Sequence, residues 1–377
     1  MKELSLLIIL ISSNLLAGQF NITVLSDQGA SAAASEFVKE MSKLEPYKQL
    51  IEQNIITINS QPVIANIACE GGHSGIERLA KCDLETAGTI CGEADLCPIY
   101  TSVPDIGAGG DPFPIMSKTM PWTTMLHEVI HTHGFTDEYY YTANDAPLYC
   151  RDSIAWHNGY TTNSKIKSSY RTKSKALRAC RRYIPWCEEA IAAGAEVTQR
   201  LSNGRYKIGT PEPASCPSLA MGVFLGGSCT NANEDTTFRP YFCPNIMGYP
   251  HLGEDFCNVH QRHAIIKNSP NMIPPYYQKM IHQHITQKAG VDVEFQLRTP
   301  AELDEHFYGI PSVDELGSNT PTENFCDTKS ATEIHQSSHG LSGLNTFDIQ
   351  NNSSRIIQTK DSLIFQPNNS HQEVTIE

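Results

Sequence analysis

Two histidines and a glutamate stand in the order His127-Glu128-x-x-His131. Each residue of an α-helix turns the chain by about 100°, so side chains four positions apart lie on one face. Both imidazoles can therefore bind one zinc ion, at distances of about 2.0–2.1 Å. The glutamate beside them can accept a proton from water activated by the metal. The spacing predicts a zinc site with His127 and His131 as ligands and Glu128 as general base.

A catalytic zinc site needs a third protein ligand and an open position. Gly134 follows the second histidine and can leave the helix in a left-handed conformation. The turn would bring Asp137 back toward the metal, and a carboxylate oxygen is an accepted zinc ligand. Glu138 is the competing choice, and it could instead orient one of the histidines.

The longer string, HExxHxxGxxD followed by Glu138-Tyr139, resembles the signature of the metzincin clan of zinc peptidases. Asp137 stands in place of that clan's last histidine. The string is most similar to the IgA-specific metalloendopeptidase-like family, whose motif continues into Asp-Glu-Tyr. The resemblance implies an α/β (α+β), zincin-like catalytic domain with a mixed twisted β-sheet, an active-site helix and disulfide-rich loops. It also implies an endopeptidase that uses Zn2+ and takes protein or peptide substrates.

A second string, from Cys243 to Tyr249, resembles the Met-turn of the same clan. The resemblance implies that Met247 forms a hydrophobic base beneath the metal. It also implies that Tyr249 approaches the metal and stabilises the oxyanion during catalysis. Farther along, His260 and His263 could share one helical face, although ordinary surface or core histidines are favoured over a second metal site.

The helix that must hold the first motif is predicted over residues 120–134. An apolar stripe marks its buried side, formed by Trp122, Leu126, Val129 and Ile130. Gly134 is a natural C-terminal stop. His133 falls within the apolar stripe, so we expect a packed, hydrogen-bonded core histidine and not a ligand.

The chain before this helix predicts a β-α-β opening and therefore a mixed sheet with a crossover helix. Its predicted elements are a strand over 20–25, a helix over 30–53 and a strand over 55–58, with further strands over 98–103 and 113–116. After the metal motif, helices are predicted over 255–267 and 276–289. Alternation of Val291, Val293, Phe295 and Leu297 with polar residues predicts another strand.

The N-terminus predicts export. Lys2 precedes a mostly apolar run over residues 4–16, and Ala17-Gly18 supplies small residues for cleavage, so residues 1–18 are typical of a signal peptide. No later stretch has the length of a membrane span. The net charge of −13 disfavours nucleic-acid partners. We therefore expect a secreted protein, extracellular or periplasmic.

In an oxidising compartment the 12 cysteines should form disulfides, because no CxxC pair points to a zinc–cysteine site. The predicted catalytic domain covers residues 19–311, with a cysteine-bearing insertion over 140–240. Residues 312–377 are interpreted as a polar tail that is either weakly ordered or a weak β appendage. A basic run over 165–182 within the insertion is interpreted as a solvated face in preference to a patch for an anionic surface.

A different function remains as the alternative: a secreted binding or adhesion module that has kept a vestigial zinc site. The intact Glu128 argues against it, because an inactive site does not need a base there. A purely structural zinc site is disfavoured, since such sites are closed by four protein ligands and the sequence offers three. The sequence does not indicate an oligomeric state.

Overall fold

The computed structural model describes residues 18–72, 79–109, 112–138, 157–162, 165–212, 221–227, 236–242, 245–248 and 272–298, and the strands 348–351, 354–359 and 362–367. The predicted signal peptide, apart from Gly18, lies outside these residues, and so does the helix predicted over 255–267. No described helix is both long and apolar enough to cross a membrane.

The described helices are α1 (Ser31–Met41), α2 (Tyr47–Glu52), α3 (Leu84–Cys91), α4 (Trp122–His131), α5 (Lys173–Tyr183), α6 (Cys187–Ala192) and α7 (Pro275–Lys288). Nine strands precede α4: β1 (Phe20–Ile22), β2 (Leu25–Ser26), β3 (Ile56–Ile58), β4 (Val63–Ile64), β5 (Cys69–Glu70), β6 (Lys81–Cys82), β7 (Ile99–Thr101), β8 (Gly107–Ala108) and β9 (Ile115–Ser117). Later strands are β10 (Tyr160–Thr162), β11 (Thr198–Arg200), β12 (Tyr206–Ile208), β13 (Met221–Leu225), β14 (Thr236–Tyr241), β15 (Asp348–Asn351), β16 (Ser354–Thr359) and β17 (Ser362–Pro367).

A five-stranded sheet with the order β4-β2-β7-β9-β8 carries the centre of the fold. The first four strands run parallel, and β8 pairs antiparallel with β9. The prediction of a mixed α/β architecture with a mixed sheet is thereby confirmed. Strands β1 and β3 form a separate parallel pair, with α1 and α2 in the connection between them.

The central strands β2, β7 and β9 are buried on both faces of the five-stranded sheet. Successive side chains of a strand point to opposite sides, so these strands contribute to two hydrophobic clusters. Leu25, Ile99 and Ile115 belong to one hydrophobic cluster, which also holds residues of α3. Tyr100 and Met116 belong to the other, larger cluster. That larger cluster contains the buried faces of α1 and α4, so the helix of the metal motif packs on this side of the sheet.

Three local predictions were wrong. The helix expected over 30–53 is two helices, α1 and α2, because Pro46 follows the end of α1 and cannot continue a helix. The strand expected over 20–25 is divided between β1, which pairs with β3, and β2, which enters the main sheet. The alternating residues 291–297 form no strand, because no described strand pairs with them.

The segment over 140–240, predicted as an insertion, shares the main hydrophobic cluster with α4 in its described part. Trp186 is fully buried there, and its indole N–H donates to the Gly222 carbonyl at 2.9 Å. β10, β14 and β13 form an antiparallel sheet within this segment. The strands β15, β16 and β17 of the polar tail form another antiparallel sheet.

Disulfides join Cys69 to Cys82, Cys91 to Cys97 and Cys180 to Cys187. Every described cysteine is paired. The expectation of disulfide bonding is confirmed for these three pairs, and bonded cysteines are compatible with an exported protein.

Candidate metal centre

Helix α4 positions the two histidines. It begins after Pro121, whose extended backbone at φ −61° and ψ 150° leads into the first turn. Met125, Leu126, Val129 and Ile130 are completely buried on its inner side. His127 and His131 project from another side of the same helix and are only partly buried. The apolar stripe therefore sets the rotation of the helix about its axis and turns both histidines toward the candidate site.

Three potential ligand atoms converge beside this helix. His127 Nε2 and His131 Nε2 are 3.0 Å apart. Asp137 Oδ1 lies 2.9 Å from His127 Nε2 and 3.4 Å from His131 Nε2. Ligands at about 2.0–2.1 Å from a tetrahedral zinc are separated by about 3.3 Å. The three atoms thus have nearly the spacing of one face of such a tetrahedron, and this is the one group of its kind among the described residues.

The tautomers of the histidines test whether a metal fits. His127 Nδ1 lies 2.7 Å from the Ile246 carbonyl oxygen, and His131 Nδ1 lies 2.9 Å from that of Phe135. A carbonyl oxygen only accepts, so each Nδ1 carries the proton and each neutral ring has its lone pair on Nε2. Two nitrogen lone pairs and a carboxylate oxygen then face one point. A cation satisfies all three, so the residues fit zinc.

The turn after α4 delivers the third group. Gly134 has φ +86°, a left-handed conformation that favours glycine, and its N–H donates to the His131 carbonyl. A Cβ at this position would lie 3.1 Å from the His157 ring. The reversal places the Phe135 carbonyl against His131 and brings Asp137, 4% exposed, back to the histidines.

In the metal-free protein, burial and the charges of neighbouring groups shift the pKa values of His131 and Asp137 in opposite directions. Burial lowers the pKa of His131 in this metal-free state, but the negative charge of Asp137 and the hydrogen bond that the protonated ring donates to it raise the pKa to about 10. Burial raises the pKa of Asp137, and the charge of His131 with hydrogen bonds from both histidines outweighs this and lowers it. A buried carboxylate here is therefore held ionised, which is the form that binds metals.

Glu128 is adjacent to the first histidine and is 1% exposed. Its Oε2 atom is buried without a hydrogen-bond partner. Burial raises the pKa of this carboxyl, while the nearby charges of His127 and His131 lower it. An unsatisfied buried carboxylate oxygen is costly, and such groups concentrate at functional sites.

Glu138 points away from the metal ligands. Its Oε1 accepts from Asn158 Nδ2 at 3.1 Å and its Oε2 from Asn245 Nδ2 at 2.8 Å. Its backbone N–H donates to the Met247 carbonyl at 2.8 Å. Burial raises its pKa to about 7, although the hydrogen bond from Asn245 and the charge of Arg239 lower it. Of the two acids considered as third ligand, Asp137 is the one beside the histidines.

Residues 245–248 form the tight turn beneath the first histidine. Asn245 and Gly248 exchange two backbone hydrogen bonds, of 2.7 and 3.0 Å. The Ile246 carbonyl accepts from His127, and Met247 is completely buried. The turn thus touches the site through a backbone carbonyl, and Glu138 connects it to the segment that carries Asp137.

Two residues of this network, Asn158 and Arg239, were not predicted from the sequence, and Asn245 was noted only as part of the string that resembles the Met-turn. Arg239 is 2% exposed, and its Nε donates to the Tyr241 carbonyl. No motif or periodicity marks Asn158 or Arg239, and the two hydrogen bonds to Glu138 come from residues that are 20 and 107 positions away. Only a search for buried polar side chains in the folded chain reveals them.

The prediction that His133 is a core histidine is confirmed. It is 1% exposed, and its Nδ1 lies 2.9 Å from Nδ1 of His284 on α7. Tyr249, His260 and His263 lie outside the described residues.

Comparison of the chain with protein-family models, with curated proteins and with solved structures finds no match. The metzincin resemblance therefore stays a prediction.

Proposed function

We propose that this protein is a secreted, zinc-dependent metallopeptidase in which His127, His131 and Asp137 hold the metal. The observation that carries the proposal is the convergence of two Nε2 lone pairs and one carboxylate oxygen within 3.4 Å of one another. Three protein ligands leave a tetrahedral ion one position for water or substrate. Cleavage within a chain, as an endopeptidase, is the part of the proposal that rests on the sequence resemblance.

Zinc bound there would supply a Lewis acid that polarises a peptide carbonyl and acidifies water. Glu128 is the proton carrier in this proposal. Its buried, unpartnered Oε2 is free to accept the proton of the attacking water and to pass it to the leaving amine. The carbonyls of Ile246 and Phe135 hold both imidazoles in the tautomer that presents Nε2. No acyl-enzyme forms, so reagents that trap serine or cysteine nucleophiles should leave activity unchanged.

The test combines zinc content with casein cleavage for the purified mature protein and two variants. We expect the wild type to hold one zinc and to cleave casein. Glu128→Gln should keep the zinc and lose cleavage by about 100-fold or more, because it removes the base and not a ligand. Glu45→Gln is the matched control, since Glu45 is also a buried carboxyl, 4% exposed, but lies between α1 and α2. It should keep both zinc and activity.

Each other outcome is informative. A wild type that binds no zinc would remove the central claim. Zinc retained without cleavage of casein or a broad peptide library would favour the secreted binding-module alternative. Equal loss of cleavage in the Glu128 and Glu45 variants would show a stability effect and would assign no role to Glu128.

A further inference from the structure

A strongly basic surface lies in the otherwise acidic chain. Residues 165–207 contain 11 lysines and arginines against 3 glutamates, within a protein whose net charge is −13. We call the side of α5 that carries Lys175, Arg178 and Arg182 the basic face; the other lysines and arginines of this segment are Lys165, Lys167, Arg171, Lys173, Arg181, Arg200, Arg205 and Lys207. Its charge is therefore opposite in sign to that of the rest of the chain.

The basic face is built on a fixed framework. The Thr172 side chain caps α5 by accepting from the Lys175 N–H, and Ala176 and Ala179 bury the inner side of the helix. The disulfide from Cys180 to Cys187 ties the end of α5 to α6. The β11–β12 hairpin also packs against α5. The cations thus extend from a rigid surface, which lowers the entropy lost on binding.

Two of the helix cations have acidic partners. Lys173 pairs with Glu196 at 3.1 Å, and Arg181 pairs with Glu188 at 2.9 Å.

Three other cations of α5, namely Lys175, Arg178 and Arg182, are exposed and pair with no carboxylate among the described residues. Their spacing of three and four residues puts them on one side of the helix. At a rise of 1.5 Å per residue they form a row about 10 Å long. The Arg182 guanidinium also lies over the Tyr183 ring, 5.3 Å from its centroid, but within the described part of the chain no carboxylate neutralises this row, so its charges are available to an external anion.

Three observations decide what kind of anion fits. The exposed large apolar side chains of the described residues, Ile64, Ile90 and Leu297, all lie outside the basic face, so no apolar anchor for a lipid bilayer accompanies the cations. A flat anionic membrane would also repel the acidic remainder of the protein, whereas a narrow polymer contacts the row alone. The planar guanidinium groups at positions 178 and 182 suit bidentate hydrogen bonding to carboxylate oxygens and to pairs of oxygens of a tetrahedral oxyanion such as a sulfate ester.

The disulfides are compatible with an exported chain, and sulfated or uronic-acid polysaccharides are linear polyanions that an exported protein can meet. We propose that the basic face binds such a linear acidic polysaccharide, with Lys175, Arg178 and Arg182 as its central contacts. The proposal does not depend on the metal site.

The experiment measures binding of the full mature protein to immobilised heparin, a linear sulfated polysaccharide, at about 50 mM and about 200 mM salt. We expect binding that weakens as salt rises. The triple variant Lys175→Glu, Arg178→Glu and Arg182→Glu should bind roughly tenfold to hundredfold more weakly, with a shallower salt dependence.

The matched control, Lys39→Glu with Lys43→Glu and Lys48→Glu, makes the same charge change across α1, α2 and the segment between them and should keep wild-type affinity.

Circular dichroism verifies that each variant folds, and a triple glutamine variant of the α5 row replaces the glutamate variant if the latter does not. Absence of heparin binding by the wild type would overturn the proposal. Equal losses in the α5 variant and the control would also overturn it, because binding would then follow net charge alone. Tighter binding to vesicles containing phosphatidylserine, or to duplex DNA of equal charge, would assign the surface to a different class of partner.

Discussion

Replacing Glu138 by glutamine tests whether the network around the site positions the metal ligands. In the wild type both carboxylate oxygens accept hydrogen bonds, from Asn158 and Asn245. Glutamine presents an NH2 group to one of these amides, so two donors would face each other. Neither asparagine can flip its amide without loss: Asn158 is held by two hydrogen bonds to the backbone of Thr136, and Asn245 Oδ1 accepts from the Met247 N–H.

The magnitude follows from these contacts. A hydrogen bond to a charged acceptor contributes about 1.5–3 kcal/mol, and each buried donor left unpaired costs about 1–3 kcal/mol. The neutral side chain recovers part of the cost of burying a carboxylate. We therefore expect Glu138→Gln to lower the unfolding free energy of the metal-free protein by about 2–3 kcal/mol. Asp137 immediately precedes Glu138, so loss of these hydrogen bonds should shift the backbone that positions Asp137. We therefore also expect zinc affinity to fall by about 10–100-fold.

Guanidinium unfolding of the metal-free protein measures the first quantity, and competition with a chromophoric chelator measures the second. Glu45→Gln again provides the control, since it replaces a buried carboxyl that is distant in sequence from the metal ligands and should leave zinc affinity intact. The reasoning is refuted if Glu138→Gln destabilises the protein but binds zinc as tightly as the wild type. Glu138 would then stabilise the contacts with Asn158 and Asn245 without positioning Asp137.

Two further predictions concern backbone strain and acid stability. Gly227, at φ +92°, leaves no room for a Cβ against the Glu138 carbonyl, so Gly227→Ala should destabilise by about 1–3 kcal/mol more than Gly204→Ala. The latter site has φ +76° and open space, and parallel urea unfolding of the two variants checks the difference. Burial, with the charges of Lys288 and His157, lowers the pKa of His284 to about 4. The neutral form of His284 is the stabilising one, so its contribution to stability is fully present above the unfolded pKa of about 6.5 and is lost as the pH falls toward 4. In the wild type the unfolding free energy should therefore fall between these two pH values. In His284→Gln this fall should be smaller by about 1–2 kcal/mol, a figure that allows for the partial exposure of the side chain. Parallel pH profiles for variant and wild type would contradict this.

Much of the local structure could be predicted from the sequence. Helix α4 follows from an apolar stripe with a period of 3.6 residues, and α7 lies within one residue of its predicted bounds. The split of the predicted helix over 30–53 could also have been anticipated, because Pro46 is visible in the sequence. The extended residues 291–297 could not, because alternation of side chains does not reveal whether a pairing strand is available.

The histidine ligands could be recognised from the sequence alone, because helical spacing puts His127 and His131 on one face. The sequence favoured Asp137 as the third ligand and left Glu138 as the competing choice, because both follow the same glycine and offer the same chemical group. The tertiary structure separated them: Asn158 and Asn245 take both oxygens of Glu138, and Asp137 reaches the histidines. Helical periodicity is a property of neighbouring residues, whereas these hydrogen bonds join segments that meet only after the chain has folded.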